Sequence, residues 1–292
     1  MLSEAEKGNK MKIGLIGNGF VGNAIYQNLK QKYEFVIYDT NRERANAIDI
    51  RQVCESAKII FVALPTPMNQ DGSCNTSIIE KCMREISNHG EDNLTILKST
   101  IPPGTTRRIK KEFPNIRLVF SPEFLTEANC VEDFKNCNRM IFGGRKKDTA
   151  ECVSIISEVF PEKHYFMTDW ETAEMVKYFI NNFLAVKTMF ANEMKQICDS
   201  INVSYDSVRN LALYDERIGE THLHVPGPDG RRGFGGTCFP KDINAMISFA
   251  EDNGVEAKIL KSVWEKNLEV REDKDWMRMP GRAITAKIYK KR

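Results

Sequence analysis

A cysteine, a lysine and an aspartate (Cys238, Lys241 and Asp242) stand directly behind the glycine-rich run Gly233-Phe234-Gly235-Gly236. Glycines let main chain approach a ligand closely. After Pro240, the residues Lys241-Asp242 read as the opening of a helix that includes Ile243 to Ala250. A thiol at a loop-to-helix junction meets the partly positive helix end and a nearby lysine. Both favour the thiolate, the nucleophilic form. Such a group can add to a carbonyl carbon, with a cation and a carboxylate at hand for charge and proton transfer. Taken alone, Cys238 reads more readily as a small buried cysteine beside a turn; the whole run 233–242 changes that reading.

A second pair, Lys177 and Asn181, lies in the stretch 169–202, which neither glycine nor proline interrupts. There Val176, Ile180, Phe183, Phe190, Met194 and Ile197 recur at helical steps and predict one apolar face of a long helix. Asp169 suits its N-cap, and Glu171 and Glu174 suit its positive end. On that helix Lys177 and Asn181 share a face, one turn apart. A solvated lysine and an ordinary helix asparagine are the alternative, and Lys187 offers a competing register. The helix is too long for one small domain to cover, so it is expected to link two halves and to supply the surface of a homodimer. Further helices are predicted over 204–213, 243–252 and 257–272. Pro280-Gly281 marks a turn before a basic end whose Lys287, Lys290, Lys291 and Arg292 read as a solvated tail.

The first half reads as alternating strands and helices. A short apolar run, Lys12 to Gly17, leads into Gly17-Asn18-Gly19-Phe20-Val21-Gly22 and a helical pattern through Leu29. This is a dinucleotide fingerprint between strand and helix. Gly17 serves the tight turn, Gly19 the approach of a pyrophosphate, and Gly22 close helix–strand packing. The phosphates would rest on the helix N-terminus. The next strand, 33–38, ends in Asp39, about 20 residues beyond the glycines as the fingerprint requires. A carboxylate there accepts hydrogen bonds from the ribose and repels a 2′-phosphate, which favours NAD over NADP. Arg42 and Arg44 leave the other choice open. Strands over 58–64, 94–98, 116–120, 139–142 and 164–167 alternate with helices over 76–87, 105–113 and 148–160. In open parallel sheets ligands bind beyond the carboxyl ends of the strands, and there stand Asp39, Pro65-Thr66-Pro67, Ser99-Thr100 and Pro122-Glu123.

The 292 residues are 41% hydrophobic and 28% charged, with a net charge of +2, so neither nucleic acid nor an anionic membrane is implied as a partner. No apolar run approaches the ~20 residues of a membrane span, and residues 1–10 read as a disordered leader. Eight cysteines fall without metal-ligand spacing, which suggests reduced thiols in the cytoplasm and no metal site.

Several of these segments together resemble the UDP-glucose/GDP-mannose 6-dehydrogenase family. They are P-T-P at 65–67, K-S-T-x-P at 98–102, S-P-E-F-L-x-E at 121–127, and D-x-R-I-G at 215–219. The last is G-F-G-G-T-C-F-P-K-D at 233–242. The resemblance covers roughly Met11 to Arg271. It implies a Rossmann-type doubly wound parallel sheet (residues 11–168) followed by a long connecting helix and a small all-helical domain (169–279). It also implies oxidation of a nucleotide-sugar C6 alcohol to a carboxylate by NAD, with Cys238 holding the substrate covalently. Lys177 and Asn181 become the charge-stabilising pair, and Thr100, Glu123 and Asp242 the network around the reacting carbon and water. Residues Gly17 to Gly22, Asp39, Arg44, Pro65, Thr66, Thr100, Glu127 and Lys241 fall to the cofactor. Glu123, Phe124, Leu125, Lys177, Asn181, Phe234, Gly235 and Gly236 fall to the sugar nucleotide, with Arg217 reaching the neighbouring subunit's substrate.

Two departures accompany the resemblance. The connection 221–232 is longer and richer in glycine and proline than the family's usual link. No further βαβ pattern follows Cys238, so the expectation is a form without the family's uridine-gripping domain. Two other readings stay open: a two-electron β-hydroxyacid dehydrogenase, and an NAD-binding regulator without catalysis.

Overall fold

The computed structural model describes residues 10–286. The expected leader (except Lys10) and Lys287, Lys290, Lys291 and Arg292 lie outside them. The chain forms two compact units, one holding the chain up to Thr66 and Thr76–Lys177, the other Pro67–Asn75 and the chain from Tyr178 onward. The sequence expectation placed the second domain from residue 169; the units divide later, inside the long helix.

In the first unit, short apolar runs become strands β1 (Lys12–Ile16), β2 (Glu34–Tyr38), β3 (Ile59–Val62), β4 (Leu94–Leu97), β5 (Arg117–Phe120), β6 (Arg139–Gly144) and β7 (His164–Thr168). They form a seven-stranded sheet in the order β2-β1-β3-β4-β5-β6-β7. Helices α1 (Phe20–Leu29), α2 (Ile50–Ser56), α3 (Ser77–His89), α4 (Thr105–Glu112), α5 (Cys130–Asn136) and α6 (Lys146–Ser157) connect them. The register explains why β3 and β4 are buried throughout. Ile16, Val62, Leu97 and Phe120 lie side by side across β1, β3, β4 and β5, as do their predecessors Leu15, Phe61, Ile96 and Val119. Alternate residues face opposite sides, and each row is buried in its own apolar cluster. Both faces are covered, as parallel sheets require.

Two features differ from expectation. β6 runs antiparallel to β5, with β7 parallel to β6, so the sheet is parallel only over β1 to β5. The short helices α2 and α5 were not predicted, because neither is long enough to show a helical period. Strand order reverses at β1, which has the edge strand β2 on one side and β3 on the other; this is the switch point where open sheets bind ligands.

Helix α7 (Trp170–Ser200) begins in the first unit, with Asp169 accepting from the Thr172 amide at 2.8 Å as its N-cap. The second unit contains its remainder, α8 (Tyr205–Ala212), α9 (Phe239–Asp252) and α10 (Lys258–Val270). Ala185, Met189, Phe234, Ile243 and Val263 form one of its apolar clusters. Residues 67–75, which the sequence reading left with the first half, join this unit. The Met68 amide donates to the Ala283 carbonyl and the Thr285 amide to the Met68 carbonyl, both at 2.9 Å. Met68 is buried with Trp276, Ala283 and Ile284. The expected solvated tail from residue 280 therefore starts with a packed segment, because Ala283 and Ile284 are apolar residues in an otherwise basic end.

The predicted apolar face of α7 is also corrected. Phe183, Phe190 and Ile197 are exposed, together with Phe179, whereas Ala173, Tyr178, Asn181, Asn182, Ala185, Thr188 and Asn192 are buried. Small and polar side chains share the buried face with Trp170, Tyr178 and Met189.

Candidate active site

The cofactor segment lies at the switch point. α1 has Gly19 as its N-cap, with no side-chain cap and no acidic residue in its first turn, so no carboxylate there opposes an anion at its positive end. A Cβ on Gly22 would lie 1.9 Å from the Gly17 carbonyl oxygen, which explains the demand for glycine at that turn. A Cβ on Gly19, by contrast, would meet nothing within 4 Å, so the loop is open to a pyrophosphate there. Asp39 accepts from the Asn18 amide at 2.6 Å and from the Asn41 amide at 2.8 Å, which pins its carboxylate beside the glycine turn. Asn18 also donates to the Arg44 carbonyl at 2.9 Å, so Arg44 is tied to the loop through its backbone. Arg42 donates to the Ile48 carbonyl at 2.8 Å and lies over the Tyr38 ring. These residues fit a dinucleotide. Phe20 is exposed, and Val21 is half-buried at the start of α1.

The remaining strand ends meet in the first unit. Thr66 is buried and donates to the Thr100 carbonyl at 2.7 Å; Pro65 beside it is exposed. Ser99 accepts from the Leu64 amide at 2.9 Å. Glu123 is gripped on every side. Lys177 donates to its carboxylate at 2.8 Å and to its carbonyl at 2.6 Å, and the Leu125 amide donates to its other carboxylate oxygen at 2.8 Å. Burial opposes the charge, but Lys177, the Leu125 amide and Lys98 outweigh it and hold the Glu123 carboxyl below the usual carboxylate range. Phe124 lies between two cations, 4.8 Å from Arg139 and 5.7 Å from Lys177. Glu127 is exposed, four residues beyond Glu123. Lys187, the competing register, donates instead to the Gly219 carbonyl at 3.0 Å.

Glu174, expected at the positive end of its own helix, does something else. It accepts from the Gly104 amide at 2.6 Å and from the Thr106 amide and hydroxyl at 2.8 and 2.5 Å, and so caps α4. The N-cap residue of α4 is Gly104, which has no side chain to cap with. Burial pushes the Glu174 carboxyl up to about 7 against the lowering effect of those hydrogen bonds.

In the second unit the glycine loop is held by its main chain. Asn192 of α7 accepts from the Gly233 amide at 3.1 Å. Asn267 of α10 accepts from the Phe234 amide at 2.8 Å and donates to its carbonyl at 3.1 Å. Asp275 accepts from the Gly236 amide at 3.0 Å and is paired with the buried Arg271 at 3.3 Å. Any Cβ on Gly235 would come within 2.3 Å of these two side chains. Arg271 also pairs with Asp229 at 2.7 Å, so the unusually long connection 221–232 contributes to this clamp. Phe234 is buried, edge-on to Phe239 at 5.9 Å.

Cys238 follows as the N-cap residue of α9, half-buried, with Pro240 in the first turn. The Asp242 amide donates to the Cys238 carbonyl at 2.9 Å. The Asp242 carboxylate accepts from Asn181 at 2.6 Å and pairs with Lys241. Burial works against the Lys241 ammonium, but Asp242, Cys238 and Cys74 outweigh it and hold it above the ordinary lysine value. A thiol at the start of a 14-residue helix, with a cation nearby, is placed for nucleophilic use. Arg217 is exposed and paired with Asp215 at 2.8 Å.

The sequence reading missed Lys98, Asn192, Asn267, Arg271 and Asp275. Asn267 and Arg271 stand one helical turn apart on α10, a spacing too common to signal a role. Among the described residues, no group of three His, Cys, Asp or Glu side chains is placed to hold a metal, and no helix is long and apolar enough to cross a membrane.

The chain resembles known proteins over both units. Residues 45–162 match the NAD binding domain of the UDP-glucose/GDP-mannose dehydrogenase family, and residues 171–269 match its central domain. The first match agrees with the cofactor read from the glycine turn and Asp39. UDP-glucose 6-dehydrogenase of Rickettsia felis is 32% identical over 250 residues, covering 83% of this chain and 54% of that protein. The chain thus spans about half the length of the curated relatives it matches. A UDP-glucose dehydrogenase from Pyrobaculum islandicum superposes with a TM-score of 0.81 at 26% identity, covering 90% of this chain and 69% of that one. A 3-hydroxyisobutyrate dehydrogenase of Mycobacterium tuberculosis shares the fold alone, with a TM-score of 0.71 at 15% identity over 89% of this chain and 93% of that one. With its NAD-binding and central segments both matched, the chain belongs to the UDP-glucose/GDP-mannose dehydrogenase family.

Proposed function

We propose that the protein carries out the four-electron oxidation of a nucleotide-sugar C6 alcohol to the carboxylate, with UDP-glucose to UDP-glucuronate as the first choice. The observation that carries this reading is Cys238 at the N-cap of α9 behind a main-chain-clamped glycine loop, with Lys241 and Asp242 in the next turn. A two-electron hydroxyacid dehydrogenase has no use for such a thiol.

NAD, held by the loop 17–22 and Asp39, supplies the acceptor for the two hydrides each sugar must lose. The chain's own groups do the rest. After the first oxidation the Cys238 thiolate adds to the aldehyde carbon, and the oxygen takes a proton to give a thiohemiacetal. Loss of the second hydride and of the hydroxyl proton leaves a thioester. Water then attacks it, the carbon–sulfur bond breaks, and the carboxylate leaves with the thiolate restored. The balance is one alcohol, one water and two NAD to one carboxylate, two NADH and three protons. Lys177 and Asn181 stabilise negative charge on the sugar oxygen. Asp242, Thr100 and Glu123 serve proton transfer to and from water. Glu123, Phe124, Leu125, Phe234, Gly235 and Gly236 line the sugar's place, and Arg217 reaches a partner subunit's substrate. Glu127, Lys241, Pro65 and Thr66 contribute to the cofactor's place. In this reading residues 11–168 are the NAD-binding domain and 169–279 the connecting helix with the helical domain. Eight cysteines without metal-ligand spacing, read as reduced thiols, support a cytoplasmic location.

NADH formation against a panel of UDP- and GDP-sugars tests the proposal. Two NADH per sugar is the expected yield. One would indicate two-electron chemistry, and none from any sugar would leave an NAD-binding protein without this activity. Cys238→Ser is expected to lower completed oxidation by roughly a thousandfold or more, while NAD affinity, measured by fluorescence titration, stays within about twofold.

A further inference from the structure

Among the buried cations that the mechanism above leaves unused is Lys98. Lys98 follows β4 and is 6% exposed. Its ammonium donates to the Ser121 hydroxyl at 3.0 Å and to the Pro122 carbonyl at 3.1 Å. The next carbonyl along the chain, that of Glu123, is taken by the Lys177 ammonium at 2.6 Å. Two lysines, one from the end of a strand and one from α7, thus hold successive carbonyls of a single turn. That turn presents the Glu123 carboxylate, whose two oxygens are already occupied by Lys177 and the Leu125 amide.

A buried ammonium costs several kcal/mol unless hydrogen bonds and an opposite charge offset it. Lys98 makes its two hydrogen bonds to neutral acceptors, and burial pushes it down to about 8. Glu123 is the carboxylate that raises it. Lys177 pushes the other way, and Cys137 and Cys152 are the remaining titratable groups that face it. A core lysine so poorly compensated is a poor device for stability, because a methionine of similar length would fill the same space without that cost. Its position instead gives it a grip on the Pro122-Glu123 turn and on the charge balance of the Glu123–Lys177 pair.

We propose that Lys98 is a positioning residue for the reaction: it fixes the Pro122 carbonyl, and with it the Glu123 carboxylate that anchors Lys177. The proposal rests on the function given above for Glu123 and Lys177, and it acts through them without touching substrate.

Two measurements test it on the full chain. In the first, steady-state kinetics of Lys98→Met are expected to show kcat lowered tenfold or more, with KM for NAD within twofold. In the second, protein labelled with ¹³C at the glutamate carboxyls is titrated by NMR, the Glu123 signal being identified by its loss in Glu123→Gln. Removing the cation is expected to raise the Glu123 midpoint by one pH unit or more, and Lys98→Arg to bring it back toward wild type. A purely structural lysine would leave that midpoint where it was; a folded Lys98→Met with unmoved midpoint and unchanged kcat overturns the proposal. So does a loss of kcat accompanied only by a loss of Tm. If Lys98→Met does not fold, Ser121→Ala leaves the ammonium with one partner, and a two- to fivefold fall in kcat with a smaller shift of the same midpoint is expected. Unchanged values in that variant overturn the idea equally. Wild-type protein that oxidises no sugar nucleotide would sink the proposed function, and the Glu123 titration, which needs no substrate, would then decide the role of Lys98 alone.

Discussion

Asp39 shows how a single carboxylate gains a defined task from its backbone. Two amides, of Asn18 and Asn41, hold it at 2.6 and 2.8 Å where β2 ends, next to the open face of Gly19. A 2′-phosphate placed there would meet a like charge at about 4 Å, worth about 1 to 4 kcal/mol between water and a protein surface. Of the nearby arginines, Arg42 is engaged with the Ile48 carbonyl. Wild type is therefore expected to prefer NAD. Asp39→Ala should weaken NAD binding and narrow the gap to NADP by about fivefold or more. Competitive titration of both cofactors measures this, and equal affinity of wild type for the two would assign the choice to the arginines.

At the scale of elements, the first turns of α7 brace the start of α4. Glu174 carries this contact, and its titration makes the contact visible in stability. Below about pH 4.3 the carboxyl is neutral in both the folded and unfolded protein. From there up to about 7 the folded state keeps a proton that the unfolded state has lost, so stability falls as pH rises, then levels off. The effect is at most roughly 4 kcal/mol. Glu174→Gln keeps one acceptor oxygen for the amides and removes the titration. Urea midpoints between pH 4.5 and 7.5 are expected to decline for wild type relative to the variant; parallel curves would show that Glu174 is ionised throughout.

For the whole molecule, the outward face of α7 matters most. Phe179 is 69% exposed, Phe190 62% and Phe183 56%, with Ile197 further along, and the rings of Phe179 and Phe183 stack at 6.4 Å. A row of large apolar side chains on one helix marks an interaction surface. The proposed occupant is the same helix of a second copy, which would also bring exposed Arg217 toward a partner's substrate. Sedimentation velocity is expected to show a dimer, and Phe183→Glu combined with Phe190→Glu a folded monomer of much reduced turnover. A wild-type monomer with full activity would remove both the dimer and the role given to Arg217.

What could be read from the chain was what depends on near neighbours. The strands of the sheet, the glycine turn with its acid, and the unbroken helix through Lys177 and Asn181 are set by local period, turn chemistry and capping. The junction of glycine loop, Cys238 and α9 is equally local. Resemblance to a family added the substrate class and the order of the motifs. Other features were decided only when distant residues met. Lys177, which the resemblance favours over Lys187, meets Glu123 across 54 residues of chain. Glu174 caps α4 across an interval of 68 residues, and Asn267 grips Phe234 across 33. β6 turns antiparallel, and Phe179, Phe183 and Phe190 of α7 lie outward while Trp170 and Tyr178 are buried. A sequence states which side chains are available at each turn of a helix; which turn faces which is settled by packing between elements, and that is where Lys98 acquired its neighbours.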